Sequence, residues 1–224
     1  MSDDAPATSP WPELALQTQR RLESFYALDP LAPVTDFLIS AEEAVSYPGG
    51  GSRVLVSEDG DGLAVAVVLE PEVTARLSDA DPRQRLDEGN LGAFCTLTEE
   101  VSHFVYLLFR ARSACSVTQL ELELQGEVDK YLSAVFLLSL QNEGAVSVQL
   151  RELLFRRYRL AEGMSAEQAE RYRAASSLAD RYCGWLEQRF LRAARLGDLT
   201  AESRRFYRLG QRDKLERILT HATP

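Results

Sequence analysis

Apolar residues follow two different spacings along the chain, and these spacings predict where helices and strands form. Helical spacing, with apolar side chains three or four positions apart, begins at Pro12 and ends at Leu28. Thr35 stands where it would cap a short second helix that ends before "YPGGGS". Helical spacing returns after residue 90, where we expect helices over residues 94–112, 117–140, 145–161, 165–195 and 200–219.

Between these regions lie two short valine-rich runs, "RVLVS" and "LAVAVVLE". The intervening "EDGDG" has the Asp-Gly chemistry of a tight turn and predicts a β-hairpin, and a short helix opened by Pro71 follows. The expected fold is therefore α+β and predominantly helical, with a small antiparallel hairpin sheet packed on a central helix and a helical C-terminal half. We divide it into a flexible acidic and Pro-rich N-terminus (1–12), an α+β core (13–161) and an Arg-rich helical extension packed on that core (162–224).

The composition indicates a cytoplasmic, soluble protein. A chain of 224 residues that is 45% hydrophobic can bury a substantial core. No apolar run reaches the roughly 18 to 20 residues that span a bilayer. The N-terminal "MSDDAPATSPWPE" is acidic and Pro-rich, the reverse of a signal peptide. The three cysteines lack C-x-x-C spacing, which favours reduced thiols over disulfides or a zinc knuckle.

The net charge of −9 is unevenly distributed. Residues 1–150 hold 9 basic and 24 acidic side chains, and residues 151–224 hold 16 basic and 10 acidic ones. The two halves could simply attract each other, and the arginines could pair with nearby glutamates. Alternatively, the arginine-rich side of the helix over 165–195 binds a protein partner or a second copy, which fits better than nucleic acid because the overall charge is negative and no reading motif is evident. The candidate interaction residues are Arg171, Arg181, Arg189 and Arg192.

The helix predicted over 94–112 is apolar nearly all round and is expected to be central. Its remaining polar stripe consists of Glu99, His103, Tyr106 and Arg110. A buried polar stripe needs partners, because unpaired polar groups are costly inside a protein. Glu121 falls within the apolar arc of the next helix and is the expected partner, whereas Glu123 and Asp129 are expected to point away from that arc.

The stretch "EEVSHFVYLL" resembles the zincin metalloprotease helix H-E-x-x-H, with Glu99 in place of the first histidine. The preceding hairpin is similar to the edge of a zincin sheet. The resemblance implies that Glu99 and His103 are metal ligands and that Glu100 is the general base. In the gluzincin group a glutamate on the next helix is the third ligand; Glu121 and Glu123 lie in that range, and we take Glu121 as the candidate. A Glu–His–Glu set would favour manganese or iron over zinc and would activate water less well.

Two other interpretations of the same helix are open. Glu100-x-x-His103 is also similar to the E-x-x-H element of ferritin-like di-iron bundles, but those sites need the motif twice. The second histidine of the chain is His221, and the place that corresponds after Glu127 holds Lys130. The second interpretation is purely structural: Thr96 and Glu99 form a capping box, and His103 hydrogen-bonds to Glu99 or Glu121.

These observations predict a non-catalytic, zincin-like scaffold without a cofactor. It would act as an adaptor or accessory protein and bind a protein partner through its Arg- and aromatic-rich C-terminal face. The alternative is a gluzincin-like metal-dependent hydrolase, in which Glu99, His103 and Glu121 hold a zinc, manganese or iron ion and Glu100 is the base.

Overall fold

The computed structural model describes residues 10–59, 62–144, 149–156 and 165–221. The class expected from the sequence is confirmed: within the described residues, eight helices accompany one three-stranded sheet. The helices are α1 (Trp11–Tyr26), α2 (Pro71–Asp79), α3 (Leu91–Arg112), α4 (Gln119–Gln141), α5 (Leu150–Arg156), α6 (Ala166–Leu186), α7 (Leu196–Arg208) and α8 (Gln211–His221). The strands are β1 (Leu38–Ile39), β2 (Arg53–Asp59) and β3 (Gly62–Val68).

The predicted hairpin is confirmed, since β2 pairs antiparallel with β3 and Val54 lies opposite Val67. The turn at residues 60 and 61 lies outside the described residues. The helix predicted after Thr35 is wrong. A 3-10 turn over Val34–Phe37 leads instead into β1, which pairs parallel with β3 and makes the sheet mixed, and a second 3-10 turn follows over Glu43–Ser46. The free edge of β3 offers unpaired backbone groups to this segment, and that tertiary pairing outweighs its local helical pattern.

Helix α3 begins three residues earlier than expected. Asn90 fixes its start, because its side-chain amide donates to the backbone oxygens of Ala80 at 3.0 Å and Arg85 at 2.8 Å. Thr96 therefore lies inside the helix, where its hydroxyl donates to the backbone oxygen of Gly92. The predicted capping box of Thr96 with Glu99 is wrong for this reason.

The C-terminal helices follow the predicted order with altered boundaries. Ser165 and Gln168 form a capping box at the start of α6. After α6 a single π turn covers Glu187–Leu191, and the helix expected over 200–219 is divided into α7 and α8, since Leu209 is extended. Of the helix expected over 145–161, α5 covers the described part. Residues 1–9 of the predicted flexible N-terminus lie outside the described residues.

Helix α3 is central, as predicted. Helices α1, α2 and α4 and the hairpin all contact it, and Leu97, Phe104 and Val105 are fully buried in the core. Helix α6 packs on α4, α7 on α1, and α8 on α6. Among the described helices, none is both long enough and apolar enough to cross a bilayer.

Candidate functional site between α3 and α4

Gly126 allows α3 and α4 to approach closely at His103. A Cβ atom at this glycine would lie 2.8 Å from Nε2 of His103 and 3.4 Å from Cγ of Glu99. His103 is buried, with 7% of its surface exposed. The absence of a side chain at Gly126 therefore leaves a small space between the imidazole edge and the Glu99 side chain.

The two ring nitrogens of His103 face different carboxylates. Nδ1 lies 3.6 Å from Oε2 of Glu100, and Nε2 lies 3.9 Å from Oε2 of Glu123. Neither Nε2 nor Oε2 of Glu100 has a hydrogen-bond partner in the part of the chain that the structure describes. Glu99, His103 and Glu123 each offer one potential ligand atom, and these atoms lie within 4.8 Å of one another.

Lys130 lies on the other side of Glu99. Its buried ammonium group donates to Oε2 of Glu99 at 2.9 Å, to Oε1 of Glu127 at 2.8 Å and to the hydroxyl of Tyr172 at 3.1 Å. Four carboxyl groups, those of Glu99, Glu100, Glu123 and Glu127, thus surround one ammonium group and one imidazole. The polar cluster is acidic in composition although it is largely buried.

The pKa values in this cluster reflect burial and charge together. Burial opposes the charge of His103, but the adjacent carboxylate of Glu100, together with the charges of Glu123 and Glu99, raises the pKa of His103 to about 9. Burial would raise the pKa of Glu99, yet the charges of Lys130 and His103 lower it overall. For Glu100 and Glu123 burial is the dominant effect, and their pKa values are raised.

The structure places Glu121 away from this group. Its Oε1 accepts from the hydroxyl of Tyr106 at 2.5 Å and lies 3.7 Å from Nε of Arg110, and its Oε2 accepts from the backbone N–H of Gln211. The predicted partnership of Glu121 with the polar stripe therefore applies to the C-terminal half of the stripe. It does not extend to His103.

The register of the two helices explains this placement. Because α4 runs antiparallel to α3, Glu121 lies opposite Arg110, Gly126 opposite His103, and Lys130 opposite Glu99. Five residues along a helix separate Glu121 from Gly126, which is about 7.5 Å. Glu123, which is two residues closer to Gly126, is the carboxylate that the structure brings to the histidine, and it replaces Glu121 in the candidate ligand set.

Asp129 corrects a second expectation. It was predicted to point away from the apolar arc of α4, but it is 1% exposed and accepts from the hydroxyls of Tyr26 and Ser102 and from Nε2 of Gln125. The prediction failed because α4 is covered by α3 and α6 on more than one side and has no single polar face along this stretch. Burial raises the pKa of Asp129 to about 6.

Sequence reasoning missed Lys214, which belongs to the same buried network. Its Nζ donates to Oε1 of Gln125 at 2.5 Å and lies 4.5 Å from the ring centre of Tyr106 and 4.8 Å from that of Phe206. It is fully buried, and burial lowers its pKa to about 7. A lysine within an Arg-rich amphipathic segment gives no local signal of burial, because its partners come from α3, α4 and α7.

The candidate interaction arginines lie in different surroundings. Arg189 and Arg192 are exposed, whereas Arg171 and Arg181 are half-buried. Arg192 is also held within its own turn, where its guanidinium donates to Oε1 of Glu187 at 2.7 Å. The four residues therefore do not present equivalent guanidinium groups to solvent.

An apolar groove of about 930 Å³ runs between α1 and α4. These helices are antiparallel: Tyr26 meets Asp129 at one end, while Glu13 and Gln141 both contact Arg83 at the other. Phe94 of α3 lies at the base of the groove, and the N-terminal part of α7 contributes to its wall. The leucine and phenylalanine residues that line it from α1, α4 and α7 are Leu16, Leu22, Phe25, Leu132, Phe136, Leu137, Leu140 and Leu196.

The fold and these features define a predominantly helical α+β protein with a partly buried Glu–His–Glu group and an open apolar groove. The chain matches no protein-family model, no curated protein and no solved structure in a comparison with each. The resemblance to zincins accordingly stays a hypothesis based on five residues of α3.

Proposed function

We propose that the protein is a non-catalytic interaction module that holds an amphipathic helix of a partner protein in the groove between α1 and α4. The groove is the observation that carries this proposal. Leu140 and Leu196 on its walls are 78% and 53% exposed. Large apolar side chains that are clustered and exposed are typical of protein-binding surfaces, because their burial by a partner is favourable.

The shape of the groove favours a helix as the occupant. The lining residues of α1 extend from Glu13 to Tyr26, about 20 Å of helix, and those of α4 from Asp129 to Leu140, about 17 Å. Two antiparallel helices above a third leave a slot into which the ridge of a further helix packs. Three turns of an amphipathic helix, with apolar residues at i, i+3, i+4 and i+7, match that length.

The charge around the groove favours a partner with acidic residues beside its apolar stripe. Arg20 and Arg21 of α1 border the groove and are exposed, and Arg20 is paired with Glu23 on its own helix, so Arg21 is the main contributor. Arg189 and Arg192 lie in the C-terminal half of the chain, a few residues before the groove residue Leu196. The proposed Arg- and aromatic-rich interaction face would therefore extend the surface around the groove. We also propose a cytoplasmic location, because Cys95, Cys115 and Cys183 are all unpaired.

The hydrolase alternative has less support. A general base must reach the water bound to the metal, but Glu100 faces Nδ1 of His103, on the opposite edge of the ring from Nε2 and Glu123. If a metal ion were bound to Nε2, Glu100 would lie on the far side of the imidazole ring from the ion. It would therefore not be next to a water molecule bound to that ion.

Selection from a library of helical peptides tests the proposal. Peptides of about 12 to 16 residues would be selected against the untagged protein, and their affinities measured by fluorescence anisotropy. We expect selected peptides to carry an apolar stripe flanked by acidic residues and to bind at least about tenfold more weakly to Leu140→Asp, since a buried charge costs more than 1.4 kcal/mol. Val45→Asp is the matched control, because Val45 is 82% exposed and lies outside the groove.

Two outcomes would overturn this proposal. Selected peptides that bind Leu140→Asp and the wild type equally would place the interaction elsewhere. Sedimentation velocity of the protein alone provides the second check, because a dimer that Leu140→Asp converts to a monomer would identify a second copy, rather than a partner helix, as the occupant.

A further inference from the structure

We propose that Glu99, His103 and Glu123 bind one divalent transition-metal ion that fastens α3 to α4. This inference is independent of the proposed groove function. The first support is convergence: one potential ligand atom from each of the three side chains lies within 4.8 Å of the others, and the three residues come from two helices.

The second support is the unpartnered nitrogen of His103. Nε2 belongs to a side chain that is more than nine-tenths buried, faces Oε2 of Glu123 at 3.9 Å, and lacks a hydrogen-bond partner among the described residues. A buried polar atom without a partner is costly and rare, and a bound ion is one of its ordinary explanations. An imidazole nitrogen with two carboxylate oxygens is a donor set for zinc, iron or manganese.

The third support is the space left by Gly126. A Cβ atom there would lie between two of the ligand side chains, 2.8 Å from Nε2 of His103 and 3.4 Å from Cγ of Glu99. Metal–ligand bonds of about 2.0 to 2.2 Å require small inward movements of the three side chains. The glycine keeps that space open, since any larger residue would fill it.

This geometry gives Glu100 a role that differs from a general base. Its Oε2 lies 3.6 Å from Nδ1 of His103. Histidines that bind metal through Nε2 commonly donate their Nδ1–H to a carboxylate, which fixes the tautomer and the orientation of the ring. Glu100 is therefore a positioning residue, and it acts on the metal through His103.

Lys130 is compatible with the site because it contacts one carboxylate oxygen of Glu99, Oε2. Its ammonium group contacts Oε2 of Glu99 and is shared with Glu127 and Tyr172. Because a carboxylate has two oxygens, this contact with Oε2 does not prevent Glu99 from also binding an ion. Four carboxyl groups against one ammonium and one imidazole also leave an acidic surplus that a divalent cation offsets.

The experiment adds Zn²⁺ or Mn²⁺ separately to untagged, chelator-treated full-length protein. Calorimetric titration and elemental analysis measure affinity and stoichiometry, and thermal unfolding measures the stabilisation. We expect one ion per chain and a rise in Tm with ion concentration, because an ion that binds the folded state stabilises it by mass action. Glu123→Gln and His103→Ala should each weaken binding at least tenfold.

Glu121→Gln is the matched control, since it makes the same substitution two residues away on the same helix. It should retain wild-type affinity. No binding of either ion to the wild type, or an equal loss in Glu121→Gln and Glu123→Gln, would overturn the site. Glu123 is the most exposed of the three ligands, with 24% of its side chain accessible, so its variant keeps the test independent of folding.

Glu100→Gln tests the positioning role separately. We expect the stoichiometry of one ion to persist and the affinity to fall by about tenfold, as for other groups that orient a metal-bound histidine. Co²⁺, used as a spectroscopic probe, should show an altered visible spectrum in this variant. An unchanged affinity and spectrum would overturn the role of Glu100.

Discussion

At the scale of the residue, Gly126 controls how closely α3 and α4 can pack. Replacing a helical glycine by alanine ordinarily stabilises a protein by about 0.5–1 kcal/mol. Here the new methyl group would lie 2.8 Å from Nε2 of His103, which is held in a buried position. We expect Gly126→Ala to lower the free energy of unfolding by about 1–3 kcal/mol, as other overpacked sites do, and urea unfolding would measure this change.

Gly92→Ala provides the control in the same pair of helices. Among the described residues, no atom outside its own helical turn lies within 4 Å of the position of its Cβ, and Gly92 is in the first turn of α3. The free energy of unfolding of Gly92→Ala should equal or exceed that of the wild type. Combining Gly126→Ala with His103→Ala should recover part of the loss, because the clashing ring is removed. A stable Gly126→Ala single variant would contradict the close contact.

At the scale of the element, two arginines of α7 complete the C-terminus of α1. Arg204 donates to the backbone oxygens of Ser24 and Phe25, and Arg208 donates to those of Tyr26 and Ala27. The last carbonyl groups of a helix lack partners within it, and the negative end of the helix dipole attracts cations. Part of the basic charge of the C-terminal half is therefore used inside the molecule.

Arg204→Ala should consequently lower the free energy of unfolding by about 1–3 kcal/mol, the cost of losing charged hydrogen bonds to backbone carbonyls. Arg205→Ala is the control, because Arg205 is the next residue and is exposed. A surface change of this kind is expected to alter stability by less than about 0.5 kcal/mol. Chemical unfolding of both variants would compare them directly, and equal losses would mean that general charge, rather than the contact with α1, matters.

The elements show what the sequence could and could not predict. The helical period identified α1, α3, α4 and α6, and the Asp-Gly turn identified the hairpin, because these signals are local. The pairing of β1 with β3 and the docking of Arg204 on α1 depend on partners far along the chain. Glu121 was preferred to Glu123 for the same reason: only the antiparallel register of α3 and α4 determines which carboxylate meets His103.

At the scale of the whole molecule, one buried polar network joins four helices. Asp129 accepts hydrogen bonds from side chains of α1, α3 and α4, and Gln125 connects it to Lys214 of α8. Gln125 and Lys214, whose hydrogen bond links α4 to α8, are 89 positions apart in the sequence. Since buried polar groups are costly when they lose a partner, the network favours one arrangement of these helices over others.

Lys214 makes this network sensitive to pH. Burial lowers its pKa to about 7 in spite of the nearby charges of Glu121 and Asp129, and Arg110 lowers it further. The unfolded chain holds the lysine proton up to about pH 10.4, so above pH 7 the unfolded state binds more protons than the folded state. The contribution of Lys214 to the free energy of unfolding therefore rises with pH from about pH 7 upward. Below pH 7 the lysine is charged in both states, and the cost of burying that charge no longer changes with pH.

Lys214→Met removes the titrating group and keeps most of the side-chain volume. Between pH 7 and 9, the free energy of unfolding of the wild type should rise relative to the variant by up to about 1.4 kcal/mol per pH unit, the slope for one proton. Urea unfolding of both proteins at several pH values measures the difference. The pH-dependent contributions of His103 and the cysteines cancel in this difference, because both chains contain these residues. Parallel pH profiles would mean that Lys214 keeps its ordinary pKa and that the centre of the fold is accessible to water.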